Sequence, residues 1–172
     1  MKLENVKDIY PLSPSQQAML LQALYSPATD ENINQIVCTL RGDLNAAALE
    51  KAWQRVVERN PALSSAFAWD GLDEPLQIVR KKVKLPWEHM DWRGFSATDR
   101  DERLRGLLKA DRIRGFKLTA APLMRGTLIR IADGENIFIW TYHHLLLDGW
   151  CLGLIMKEVA IFYDTISRGE EP

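Results

Sequence analysis

Apolar positions along this chain change period several times, and each change marks an element. Ile33 to Leu40 and Ile137 to Tyr142 are dense in β-branched and aromatic residues, which suits strands. Leu49, Trp53, Val56 and Val57 recur at helical spacing, so a helix is expected from the Gly42-Asp43-Leu44-Asn45 lead-in to Arg59, with those four side chains buried. Ser13, Pro14 and Gln16 form a capping-box pattern with proline at the first helical position. They start a helix carrying Met19, Leu20, Leu21 and Leu24 that should stop near Ser26-Pro27. Ser96 and Asp99 can cap a helix running through Arg114 to a stop at Gly115, its Arg, Asp and Glu residues forming a solvated face.

Two hairpins complete the pattern. Ala66 to Trp69 and Leu76 to Val79 flank Asp70-Gly71, and Leu123 to Ile131 and Asn136 to Tyr142 flank Asp133-Gly134. A last apolar helix runs from Trp150 through Val159, Ile161, Phe162 and Ile166, with Gly169 suited to its C-terminal cap and Arg168 to Pro172 reading as the start of a connector. The sum is an α+β fold, an αβ sandwich in which a mixed or antiparallel sheet is packed by helices. Trp87 and Trp92, near Pro86, are expected at an edge or in the core, and Met19 and Leu20 in the core.

The chemistry concentrates where the second hairpin ends. His143-His144-Leu145-Leu146-Leu147-Asp148-Gly149 lies between a strand and a helix, so two imidazoles fall where extended chain becomes loop. Side chains alternate along a strand, which points His143 and His144 in opposite directions if extended geometry persists. A neutral imidazole accepts a proton near physiological pH, Asp148 can hold the loop, and Gly149 permits close backbone approach. A second reading is a structural histidine pair beside a helix-capping aspartate. A zinc site would need another ligand, and His89, Cys38 and Cys151 lack metal-type spacing, so no metal is expected.

With 172 residues and 47% hydrophobic content, the chain can bury one core. A net charge of −1 without a basic block excludes an electrostatic nucleic-acid footprint. Two cysteines make no disulfide framework, and neither a signal-peptide pattern nor a membrane-spanning run occurs; a reducing cytoplasm is the simplest home.

The stretch HHLLLDGW resembles the HHxxxDG motif of condensation domains from nonribosomal peptide synthetases, members of the chloramphenicol-acetyltransferase-like superfamily. Tyr10-Pro11-Leu12-Ser13-Pro14-Ser15-Gln16 is similar to the family's YPLSPxQ opening, and Trp69 to Gln77 to its WDGLDEPLQ segment, in the family's order and spacing. One segment departs. Where the family reads RHExLRTxF, this chain has Arg59-Asn60-Pro61-Ala62-Leu63-Ser64-Ser65-Ala66-Phe67, with Ser64 and Ser65 in place of arginine and threonine.

The resemblance implies a chloramphenicol-acetyltransferase-like half-domain, residues 1–172 forming the N-terminal subdomain of a condensation domain whose C-terminal subdomain is absent. It implies an acyltransferase that joins aminoacyl or peptidyl thioesters into an amide. Both substrates would ride on the phosphopantetheine of donor and acceptor carrier domains, with no cofactor bound directly. His144 would sit at the cleft as base or positioning group, and Gly149 would offer its N–H to the reacting centre. His143 would pack structurally, and Arg59 would pair with Asp148 to brace the loop, a brace weakened by Ser64. The opening and histidine motifs resemble forms used for donors other than plain L-aminoacyl groups, and the dual epimerising subtype lacks support. The isolated chain is expected to be inactive. Two other readings stand beside this one, a non-catalytic carrier-docking half-domain and a small acyltransferase with its site at an oligomer interface.

Overall fold

Strand β7 (Glu135–His143) is the spine of the molecule, because it carries the histidines and lies inside the larger sheet. The computed structural model describes residues 3–25 and 32–171. Along the chain, β1 (Val6–Pro11), α1 (Pro14–Tyr25), β2 (Ile33–Arg41), α2 (Ala46–Arg59), β3 (Ser65–Ala68) and β4 (Leu76–Arg80) are followed by β5 (Trp87–Asp91), α3 (Ala97–Arg114), β6 (Met124–Ala132), β7 and α4 (Gly149–Ser167). The four-stranded sheet has the order β2-β7-β6-β5 and is mixed, β5 running parallel to β6. The three-stranded sheet, β1-β4-β3, is antiparallel.

Local signals formed the expected elements. Gln16 and Ser13 exchange backbone and side-chain hydrogen bonds at 3.0 and 3.3 Å, the reciprocal capping box that starts α1. Asn45 caps α2 by accepting the Ala48 N–H at 3.0 Å, and Leu49, Trp53, Val56 and Val57 are all buried. Ser96 caps α3, which stops at Gly115 with φ 55°. Gly169, at φ 79°, ends α4: its N–H donates to the Ile166 carbonyl and the Glu170 N–H to that of Thr165, a left-handed C-terminal cap. The Ser26-Pro27 stop falls outside the described residues, but α1 ends at Tyr25.

Alternation along β7 divides the core in two. Phe138, Trp140 and Tyr142 join α2 and α4 in the main cluster, while Ile139 joins Ile129 and Trp92 in a smaller cluster against Leu104, Leu107 and Leu108 of α3. The larger sheet is therefore sandwiched between α2 with α4 and α3. Trp87 sits on edge strand β5 opposite Gly126 and stacks on Phe138 with ring centroids 5.4 Å apart. A Cβ at Gly126 would come within 2.5 Å of the Trp87 ring, which is why that strand position has no side chain. Of the apolar residues expected along α1, Leu20 is buried and Met19 packs against the core, whereas Leu21 and Leu24 face outward. Strands β1 and β5 and the separation of two sheets are additions to the sequence reading.

Candidate active site

The turn after β7 is built by three leucines and two imidazoles. Leu145, Leu146 and Leu147 all turn into the main core, so the polar groups between and beside them are held by buried anchors. His143 pairs with Ile33 in the sheet and is buried. The next residue leaves the ladder, its N–H donating to the Asn32 carbonyl at 2.8 Å.

Each imidazole has a defined role for Nδ1, because its partner can act in only one sense. The Leu145 N–H donates to His143 Nδ1 at 3.1 Å, so that nitrogen carries a lone pair. Burial, with the charge of His144 second, lowers the His143 pKa to about 4, which keeps the ring neutral and able to accept. His144 Nδ1 lies 2.7 Å from the Leu147 carbonyl, which only accepts, so Nδ1 carries the proton. The Nε2 of His144 is then left with its lone pair, the arrangement a general base requires.

Asp148 is the N-cap of α4: its Oδ1 accepts the Trp150 and Cys151 N–H groups, each at 3.1 Å. The Cys151 thiol and backbone N–H, with the Trp150 N–H, hold its carboxyl below the usual carboxylate range, and Asp148 in turn pushes the Cys151 thiol up. Gly149 takes the first helical position with its N–H outside that cap, and a Cβ there would meet nothing within 4 Å.

Arg59 does not brace Asp148. Its Nε pairs with Glu158 at 3.2 Å, and the neighbouring Asn60 Nδ2 donates to the same carboxylate at 2.7 Å. The cause is the way the helices meet: the end of α2 lies beside Glu158, ten residues along α4 from Asp148, about 15 Å by helical rise. Among the described residues, no ion pair reaches Asp148 within 4.0 Å. Ser64 and Ser65, which replace the expected arginine and threonine, are buried and both donate to the Pro61 carbonyl.

Two polar clusters escaped the sequence reading. Gln16 Nε2 donates to the Leu145 carbonyl at 3.3 Å and to Gln77 Oε1 at 2.9 Å, which ties α1 to the histidine turn. On the α3 side, Arg125 Nε pairs with Asp111, and its Nη1 and Nη2 donate to the Gly115 and Asp111 carbonyls at 2.8 and 2.6 Å. Thr141 Oγ1 donates to the free side of the same Asp111 carboxylate at 2.6 Å, so β7 is anchored two residues before His143. The capping role of Gln16 was legible; its second set of bonds was not. His89, offered as a spare metal ligand, pairs with Glu50 at 3.0 Å far from this turn in sequence, and Cys38 and Cys151 are free thiols. No group of three or more metal-ligating side chains comes together among the described residues.

The profile of a family described as the condensation domain matches residues 6–172. A linear gramicidin synthase of Brevibacillus parabrevis is 41% identical over 166 residues, which cover 96% of this chain and 3% of the synthase. Bacitracin synthase 3 of Bacillus licheniformis is 38% identical over 165 residues, covering 96% of this chain and 2% of that one. Among solved structures, the starter condensation domain of the rhizomide synthetase RzmA superposes with a TM-score of 0.82 at 24% identity, covering 96% of this chain and 41% of that one. The first condensation domain of the calcium-dependent antibiotic synthetase, in complex with a substrate analogue, gives 0.84 at 20% identity, covering 97% and 41%. The chain thus spans a few hundredths of the synthases it matches and about two fifths of the solved condensation domains.

Proposed function

The chain belongs to the condensation-domain family, and from that footing we propose that it is the N-terminal subdomain of a peptide-synthetase condensation domain and supplies the imidazole at its cleft. The observation that carries the reading is His144: its Nδ1–H is fixed on the Leu147 carbonyl, so Nε2 is an acceptor held in one orientation. In the proposed reaction the amine of a carrier-bound acceptor attacks the thioester carbonyl of a carrier-bound donor. The new C–N bond forms, the C–S bond breaks, and the donor's phosphopantetheine thiol leaves. His144 Nε2 takes the proton that the attacking nitrogen must lose, or aligns that nitrogen by the same hydrogen bond.

The start of α4 suits the other side of the transition state. Its aligned peptide groups make a positive end, and Asp148 uses the Trp150 and Cys151 N–H groups while the Gly149 N–H stays outside the cap, available to a developing oxyanion. Trp150 and Leu154 are exposed beside this turn, 90% and 68% accessible, which fits a wall supplied by the remainder of a condensation domain. A chain holding one wall would be inactive alone. Donor and acceptor carrier domains are the proposed macromolecular partners, and a reducing cytoplasm suits the free thiols of Cys38 and Cys151. No described helix is long and apolar enough to cross a membrane.

One observation favours a second reading, a non-catalytic docking half-domain. Ser64 stands buried where the family has an arginine, and Asp148 has no cationic partner among the described residues. The deciding experiment supplies carrier-bound donor and acceptor to the chain, alone and with a separately produced C-terminal subdomain, and weighs the intact carriers. Carrier-bound amide formed only by the mixture, and diminished by His144→Ala, is the expected result. No product from a mixture shown to be folded and associated would favour docking.

A further inference from the structure

We propose that Gln16 and Gln77 are positioning residues for His144, forming with Ser65 a neutral hydrogen-bond chain that takes the place of a cationic brace beneath the histidine turn. The proposal rests on reading His144 as the group that meets the reacting amine. The chain begins in α1, where Gln16 Oε1 accepts the Ser13 N–H at 3.0 Å. With its oxygen so engaged, the Gln16 amide can present only its NH2 to the interior. That group donates to Gln77 Oε1 at 2.9 Å and to the Leu145 carbonyl at 3.3 Å. Gln77 Nε2 donates onward to Ser65 Oγ at 2.8 Å, and Ser65 Oγ to the Pro61 carbonyl at 2.8 Å. Every donor points the same way, so no amide in the chain can flip without losing bonds.

Leu145 is where this chain acts on the site. Its N–H is held by His143 Nδ1 and its carbonyl by Gln16, so the peptide groups on both sides of Leu145 are fixed. Leu146 N–H closes the turn on the His143 carbonyl at 3.0 Å, and the next residue, Leu147, supplies the carbonyl that holds His144 Nδ1. Four segments distant in sequence, Ser13–Gln16, Pro61–Ser65, Gln77 and the 144–147 turn, are thereby joined by amide and hydroxyl groups alone. Such a brace carries no net charge and is insensitive to ionic strength, unlike an ion pair.

Gln16→Glu separates bracing from capping. Glutamate fills the same place in a capping box and still accepts the Ser13 N–H, but it has no N–H for the Leu145 carbonyl. Amide hydrogen exchange in this chain should show Leu145 and Leu146 exchanging about tenfold faster, the loss of a net hydrogen bond, with protection of α1 unchanged. Gln77→Met, which leaves the cap intact, should accelerate the same two amides. In the completed domain, Gln16→Glu should lower the rate at saturating carrier and leave KM in place. Unchanged exchange at Leu145 and Leu146 in both variants would overturn the proposal. So would loss of protection throughout α1 with Gln16→Glu, which would make Gln16 a helix cap and nothing more. If the parent mixture forms no product, the functional reading fails by itself, and the exchange comparison still decides the brace.

Discussion

His143 and His144, adjacent in the chain, are held in opposite tautomers: His143 Nδ1 accepts the Leu145 N–H at 3.1 Å, while His144 Nδ1 donates to the Leu147 carbonyl at 2.7 Å. One ring closes the turn and the other is held by it. The motif's two histidines therefore divide structure from chemistry, and the division follows from where the strand ends, with His143 inside the ladder and His144 beyond it.

Acid should loosen the turn through His143. Its pKa is about 4 in the folded chain against 6.5 ordinarily, so between those values the unfolded chain binds the proton and the folded chain does not. Stability is full above pH 6.5 and falls as pH drops toward 4, by about 3 kcal/mol for this group. Urea unfolding of the parent and of His143→Asn over that range checks it. Asparagine keeps an acceptor but does not titrate, so the variant's midpoint should fall less steeply.

The helix cap and the ion pair should prove independent. Asp148→Ala should lower the unfolding midpoint, and Asp148→Asn, which can still accept the two N–H groups of α4, should recover most of it. Arg59→Ala should cost at most about 1 kcal/mol, because its pair with Glu158 is largely exposed. A double-mutant cycle between positions 59 and 148 should show no coupling beyond error; a substantial coupling would restore the brace that the resemblance implied.

Behind β7, the Asp111–Arg125 pair is buried, with side chains 15% and 8% accessible. Arg125→Met would leave Asp111 charged with only Thr141 and Gln35 as donors, costing about 3–5 kcal/mol. Denaturant unfolding measures this directly. Because Thr141 ties that carboxylate to the strand bearing His143, the substitution should also speed amide exchange at the end of β7.

What could be read from the sequence was what neighbouring residues decide. The Ser13–Gln16 box, the Asn45 and Ser96 caps, the Asp133-Gly134 hairpin and the buried face of α2 all depend on contacts within a few residues. Strand β1 could not be read that way: its polar sequence is extended because it pairs with β4 some seventy residues later, Val6 facing Arg80. The same limit hid the site's supports. Half of the bonding of Gln16 is local and legible, while the other half reaches Gln77 and Leu145, 61 and 129 residues away. The expected Arg59–Asp148 pair came from the family resemblance, and the packing of α2 against α4 sent Arg59 to Glu158 instead.

An imidazole 15N–1H correlation spectrum of this chain at mildly alkaline pH, assigned with His143→Asn and His144→Ala, reads the two tautomers directly. His144 should be protonated at Nδ1 with a bare Nε2, and His143 should take the opposite form. A His144 protonated at Nε2, or averaging freely between tautomers, would contradict this, because the turn would then not hold the acceptor that the proposed chemistry needs.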